Sequence, residues 1–246
     1  MVGEMGGEGS RKSRAKVFCI GFNKTGTMTL HRYFELAGLD SSHDAMYQKQ
    51  TRTLGQDELR SYLDAHDAFT DGERADYSRL AELYPDAKFI LNTRGLKKWL
   101  ESRVKHVFRQ GGAALADPDS LDRPQPGFWS GPMAREYLND PERAISDWVD
   151  RREFYHRAVI AFFDTTKPDD FIVVNITRNP TWQEDLDAFL GLAVRGRVRE
   201  PIHQNTASAN MSAYGLPERL QQVESVLHQK NIPTAEWENE TFIGRG

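Results

Sequence analysis

The sequence predicts an α/β fold: a mostly parallel central sheet with helices on both faces. Three observations carry this. Residues 17–22 (VFCIGF), 88–93 (KFILNT) and 171–176 (FIVVNI) are apolar runs of buried-strand length. Each is followed by a segment whose apolar residues have helical spacing, and strands alternating with helices give parallel neighbours covered on both sides. At 246 residues the chain can bury a substantial core without covalent staples. We therefore expect residues 1–15 to be a flexible N-terminal tail and residues 16–246 a single α/β domain.

The elements follow in order. The first strand breaks at Lys24-Thr25-Gly26-Thr27, and Leu30, Tyr33, Phe34 and Ala37 then mark one face of a helix that Gly38 ends. Residues 40–47 read as a short edge strand or loop carrying His43. Residues 56–65 form a polar helix around Leu59, Tyr62 and Leu63, and residues 66–71 a brief strand ending in Asp71. A helix over residues 74–84, with Leu80, Leu83 and Tyr84 inward, closes at Pro85. After the second long strand, residues 95–108 form an amphipathic helix with Leu96, Trp99, Leu100, Arg103 and Val107 along one side.

Residues 110–139 hold Gly111, Gly112, Pro118, Pro124, Pro126, Gly127, Gly131 and Pro132, and read as a long loop, an acceptor-side segment or lid. Residues 141–164 are one long helix, with Ile145, Trp148, Val149, Phe154, Tyr155, Ile160 and Phe163 for packing. Helices over residues 181–190 and 216–229 complete the chain.

Composition narrows the function. A net charge of −4 argues against a general nucleic-acid binder. Cys19 is the single cysteine, so no disulfide forms within the chain, and inside an apolar strand it reads as a small buried hydrophobe. No run approaches the roughly 18 apolar residues of a membrane span, residues 1–15 lack the apolar core of a secretory signal, and the expected compartment is cytoplasmic.

Ligands on parallel sheets sit beyond the carboxyl ends of the strands. Those ends carry Asn23-Lys24, Thr70-Asp71, Thr93-Arg94 and Thr177-Arg178: three basic residues and one acid, a pocket for an anion with a carboxylate in it. Strand, hydroxyl-rich loop and helix together aim backbone amides and the positive end of a helix dipole at an anion. Gly26 permits close approach, Thr25, Thr27 and Thr29 supply hydroxyls, and Lys24 supplies a full charge. In the P-loop pattern G-x-x-x-x-G-K-[ST] the lysine follows the second glycine; here Lys24 precedes Gly26.

That order, Lys24-Thr25-Gly26-Thr27, resembles the 5′-phosphosulfate loop of sulfotransferases, which grips 3′-phosphoadenosine-5′-phosphosulfate (PAPS). FILNTRGLKKWLESR resembles their 3′-phosphate segment, with Arg94 at the strand end and Ser102 eight residues on. HDAFTD followed by ELYPDAKFILNTR is similar to the bacterial-type branch, and the resemblance spans about residues 17–191. It implies a P-loop-like sulfotransferase architecture and transfer of a sulfuryl group from PAPS to a hydroxyl or amine of a small-molecule or carbohydrate acceptor, leaving 3′,5′-ADP, with no metal required.

The resemblance further implies that Asn23, Lys24, Thr25, Gly26, Thr27, Met28 and Thr29 form the loop, with Met28 where a hydroxyl residue is often found. Arg94 and Ser102 would hold the 3′-phosphate, and Gly95 stands where Asp or Asn is usual. Asp71 occupies the place of a catalytic histidine, 23 residues before Arg94. Its alternative role is a helix N-cap, and His43 and Glu73 are the other candidates for the base. His31 and His106 read as surface or packing residues.

Arg178 borders the cleft or simply ends a strand. Arg195, Arg197 and Arg199 loosely resemble a basic loop that closes over the nucleotide, or form a solvated charge run, and the role of His203-Gln204-Asn205 stays open. Phe128, Trp129 and Tyr137 are an acceptor wall or a homodimer contact. Two rival functions stand beside the main one: an ATP- and Mg²⁺-dependent kinase with Asp71 at the metal, and a non-catalytic nucleotide-binding module.

Overall fold

The computed structural model describes residues 15–44, 46–116, 131–192, 198 and 216–241. Five strands, β1 (Val17–Cys19), β2 (Ser41–Ser42), β3 (Ala68–Phe69), β4 (Lys88–Asn92) and β5 (Phe171–Val174), form one sheet in the order β2-β3-β1-β4-β5. Every pairing is parallel. Side chains of a strand alternate between faces, and here both faces are core. Phe18, Ile20, Phe69, Phe89 and Leu91 pack on one side with Leu59, Leu63, Leu80, Val159 and Phe163. Val17, Cys19, Ala68, Ile90 and Val174 pack on the other with Leu30, Tyr33, Phe34, Trp182 and Leu186. Two-sided burial is why β1 and β4 read as unbroken apolar runs, while the edge strand β5 is apolar but leaves Val173 exposed.

The first face is covered by α2 (Met46–Thr53), α3 (Gln56–Asp64), α4 (Tyr77–Leu83) and the end of α7 (Pro141–Thr166), the second by α1 (Thr27–Leu36) and α8 (Trp182–Leu190). A third cluster joins α5 (Leu96–Ala116), α6 (Gly131–Asn139), the start of α7 and α9 (Leu216–Gln229), with Trp99, Trp148, Leu227 and Trp237 inside and Phe22 reaching into it from the loop after β1. A short 3-10 helix, Thr234–Glu238, lies against the start of α5. No helix among the described residues is long and apolar enough to cross a membrane.

Several expectations change. Helix α4 starts at Tyr77 because the Asp76 side chain accepts the Arg79 amide at 3.1 Å and caps it there. Helix α2 is absent from the sequence reading; only Tyr47 and Thr51 of its MYQKQTRT are buried, too few to show a period. Part of the expected loop 110–139 is helical: α5 continues through Gly111 and Gly112 to Ala116, and α6 begins at Gly131. Tyr137 is no acceptor wall but a core residue, its ring 5.7 Å from Trp148 and nearly parallel to it. Phe154 faces solvent instead of packing. Residues 1–14 of the tail, Phe128, Trp129, Arg195, Arg197, Arg199 and His203-Gln204-Asn205 lie outside the described residues.

Candidate functional site

Strand β1 is central, with β3 on one side and β4 on the other. The chain leaves it into residues 20–26 and re-enters helix at Thr27. Most carbonyls from the end of β1 through this loop are held by side-chain donors, four of them from elsewhere in the chain. Tyr47 donates to Cys19 O at 2.5 Å and Tyr155 to Ile20 O at 2.6 Å. Within the loop Thr25 Oγ1 donates to Phe22 O at 2.5 Å, and Trp99 Nε1 reaches Asn23 O at 3.1 Å. Arg94 Nη1 takes Lys24 O at 3.2 Å.

The amides of Ile20, Gly21 and Asn23 are also engaged, by Ile90 O, Asn92 Oδ1 and Glu73, which leaves the amides at the start of α1. The first bonds of α1 run from the Thr29 and Leu30 amides to Gly26 O, at 3.0 and 3.1 Å. The amides of Gly26, Thr27 and Met28 precede them and have no acceptor within the helix. An anion at this point meets those amides and the positive end of the α1 dipole.

Two backbone conformations shape the turn. Lys24 has φ 67°, the left-handed region that costs a side-chain-bearing residue about 1–2 kcal/mol. Gly26 has φ 93°, and a Cβ there would sit 2.2 Å from Ile176 Cδ1. The glycine is thus required twice, by its angle and by the side chain from the end of β5. Thr25 is placed in the loop as expected, but its hydroxyl proton goes to Phe22 O while its oxygen accepts from Asn92 Nδ2 at 2.5 Å. Its part is to bind the loop to the end of β4. Thr27 and Thr29 are buried and Met28 half-buried at the helix start.

Asp71 follows β3 and is 7% exposed. Burial first, then the neighbouring Glu73 charge, raises its pKa to about 7, with Lys24 pulling the other way and Asp44 adding to the rise. A carboxylate with a pKa at working pH is suited to take up and release a proton. No helix begins at Gly72, and the nearest cap is Asp76, so the N-cap role does not apply to Asp71.

His43, just beyond β2, shares a 2.9 Å hydrogen bond with Thr70 Oγ1 and stands 5.8 Å, ring to ring, from His31. Burial, His31 and Lys24 lower its pKa to about 4, so it is neutral at pH 7. His31 itself shares a bond with Ser41 Oγ at 2.9 Å. Lys24, His43 and Asp71 are therefore electrostatic neighbours at the ends of β1, β2 and β3, brought together by sheet order from three separate stretches of sequence.

Arg94, between β4 and α5, is half-buried; its Nε is shut off from solvent and has no hydrogen-bond partner among the described residues. A buried guanidinium N–H without an acceptor is costly. Burial also lowers its pKa, an effect the Glu101 charge opposes. Ser102 lies half-buried in the second turn of α5.

The residue that sequence reasoning misjudged is Glu73. It is buried and engaged: Arg103 Nη1 lies 3.2 and 3.3 Å from its two carboxylate oxygens, and the Asn23 amide donates to it at 3.3 Å. Arg103 Nη1 also reaches Asn23 Oδ1 at 3.2 Å, and its guanidinium lies between the Trp99 and Trp148 rings, 4.9 and 5.0 Å from their centroids. The pair locks Asn23 and so the start of the loop. The only sequence signal was Arg103 on the apolar side of α5. His106 is buried, as a packing residue would be, while Arg178 is largely exposed with Glu240 3.9 Å away.

Comparison with known proteins adds the following. The family model described as "Sulfotransferase domain" matches residues 16–208. Among solved structures, the crystal structure of a sulfotransferase from Alicyclobacillus acidocaldarius is similar with a TM-score of 0.46 and 16% identity, over 92% of this chain and 99% of that one. No curated protein matches the chain.

Proposed function

The chain belongs to the sulfotransferase domain family, and from that premise we propose that it transfers a sulfuryl group from PAPS to a hydroxyl or amine of an acceptor. The observation that carries the donor is the start of α1, where helix-first amides and Lys24 follow β1, together with the half-buried Arg94 after β4, whose Nη1 reaches the same loop at Lys24 O. A nucleotide with phosphates at both its 5′ and 3′ positions offers one anion to each of these two groups, and a nucleotide phosphorylated only at its 5′ end offers one to the loop alone.

In this reading the amides of Gly26, Thr27 and Met28, with the Thr27 and Thr29 side chains beside them, hold the 5′-phosphate. Arg94 and Ser102 hold the 3′-phosphate, Arg94 through a charge-assisted contact that Lys would not replace. Asp71 takes the proton of the acceptor hydroxyl as that oxygen bonds to sulfur. Lys24 compensates the charge that collects on the former bridging oxygen when its bond to sulfur breaks. Neutral His43 orients the acceptor beside Asp71. These residues chiefly position and stabilise charge, which is what a loose group-transfer step demands of its protein.

A thermal-shift titration with 3′,5′-ADP, and separately with ATP plus Mg²⁺, tests this, because a ligand that binds only the folded state raises its apparent stability. Stabilisation by 3′,5′-ADP that Arg94→Ala removes is the expected result. Stabilisation by ATP–Mg²⁺ alone would overturn the reading in favour of a kinase.

A further inference from the structure

Arg94 lies in the three-residue connection between β4 and α5, between Thr93, whose amide still bonds to Val174 O of β5, and Gly95, whose carbonyl starts the helix. What holds it comes from more than fifty residues away. Arg152, on α7 and buried, donates from one nitrogen, Nη2, to Arg94 O at 3.2 Å and to Asn239 O at 2.8 Å. Asn239 O also accepts the Leu96 amide at 3.1 Å. Gly95 O receives the Trp99 amide at 2.8 Å, so Gly95 is the N-cap of α5 and has no side chain to cap with. A backbone carbonyl from the segment after Thr234–Glu238, Asn239 O, takes the first amide of the helix instead.

The segment is gripped elsewhere too. His156, one helical turn after Arg152, shares a 2.7 Å bond with Thr241 O. Asn175, at the end of β5, donates to the Glu240 carboxylate at 3.0 Å. Trp237 anchors it in the α5–α9 cluster. The ends of β4 and β5, the start of α5 and the middle of α7 are thus joined through residues 237–241.

We propose that Arg152 is a positioning residue for Arg94: together with the carbonyl of Asn239 it sets the direction in which the Arg94 guanidinium enters the crevice. It follows that Arg152 governs selection of the 3′-phosphorylated nucleotide and not affinity for nucleotides in general. This rests on the reading that Arg94 meets the 3′-phosphate. A guanidinium extends several ångströms beyond its Cα, so a small rotation of the Arg94 peptide displaces it enough to lose a directed hydrogen bond. The amide loop keeps its holds from Tyr47, Tyr155, Trp99 and Thr25, and shares with that rotation only the bond from Arg94 Nη1 to Lys24 O.

The test compares Kd for 3′,5′-ADP and 5′-AMP by calorimetry in the full chain, for the wild type, Arg94→Ala, Arg152→Lys and Arg152→Met. One charge-assisted hydrogen bond corresponds to about tenfold or more in affinity. Arg152→Met is therefore expected to lower the 3′,5′-ADP preference about tenfold, toward the Arg94→Ala value, with 5′-AMP affinity nearly unchanged and Arg152→Lys in between. If Arg94→Ala keeps the wild-type preference, the donor reading itself fails and the proposal with it. If Arg94→Ala abolishes the preference while Arg152→Met retains it, or weakens both ligands equally, Arg152 is structural only and the proposal is overturned. Should Arg152→Met not fold, hydrogen exchange on the wild type decides. Slower exchange across residues 234–241 with 3′,5′-ADP than with saturating 5′-AMP supports the coupling, by reciprocity of linked equilibria, and equal exchange refutes it.

Discussion

Replacing Asp71 by Asn should make the protein more stable and inactive at once. The acid is buried, and its pKa stands at about 7 against an ordinary 3.8. At 1.36 kcal/mol per pH unit that difference is about 4 kcal/mol of unfavourable ionisation in the folded state, an upper figure because local relaxation and water entry reduce it. Well below pH 3.8 the carboxyl is protonated in both folded and unfolded chains and costs nothing. As pH rises toward 7 the unfolded chain releases the proton while the folded chain retains it, so stability falls; above about pH 7 the loss is complete and constant.

Asn cannot ionise, so Asp71→Asn should approach the wild type near pH 4 and exceed it by about 1–4 kcal/mol at pH 8. At about 2–4 °C in Tm per kcal/mol for a chain of this size, melting curves of the ligand-free proteins between pH 4.5 and 8.5 resolve this readily. A stability difference that does not change with pH, or that favours the wild type at pH 8, would refute the reasoning about Asp71's environment.

Three further outcomes follow from the same geometry. With Asp71 as the proposed proton acceptor, kcat/KM of the wild type should rise with pH to a plateau with an apparent pKa of about 7; a pH–rate profile checks this, and Asp71→Asn should show only residual, pH-flat turnover. Arg103→Leu should strand the buried Glu73 carboxylate and cost about 3–5 kcal/mol, read as a lower Tm, with Glu73→Leu in the same chain recovering most of it in a double-mutant cycle. Gly26→Ala should lower Tm and weaken 3′,5′-ADP binding through both φ 93° and the clash with Ile176; adding Ile176→Ala should restore only part, because the backbone angle remains unsuited to a side chain.

The long strands, their order along the chain and the strand–loop–helix of residues 17–36 were legible in the sequence because two-sided burial and helical spacing leave a periodic trace. Lys24, Asp71 and Arg94 were named as candidates for a related reason: each stands within a few residues of a strand that could be recognised. Glu73 was misjudged because its partner, Arg103, is thirty residues away on a helix, and no local pattern pairs them. The hold of Arg152 and Asn239 on Arg94 was invisible in the same way. Helix α2 escaped because a mostly exposed helix has little apolar period to show, and the helical parts of 110–139 because glycine and proline are poor guides where tertiary packing decides.

The donors that grip the loop after β1 come from far along the chain. Tyr47 is 28 residues from its acceptor, Arg94 70, Trp99 76 and Tyr155 135. Each such closure loses chain entropy before its hydrogen bond forms, and contacts of this range slow folding. The crevice therefore cannot exist in a half-assembled chain: β1, α2, α5 and α7 must all have docked before the loop takes its shape. Competence to bind should appear only in the last phase of refolding, after most helical signal has returned, which makes ligand capture a timer for completion of the whole fold.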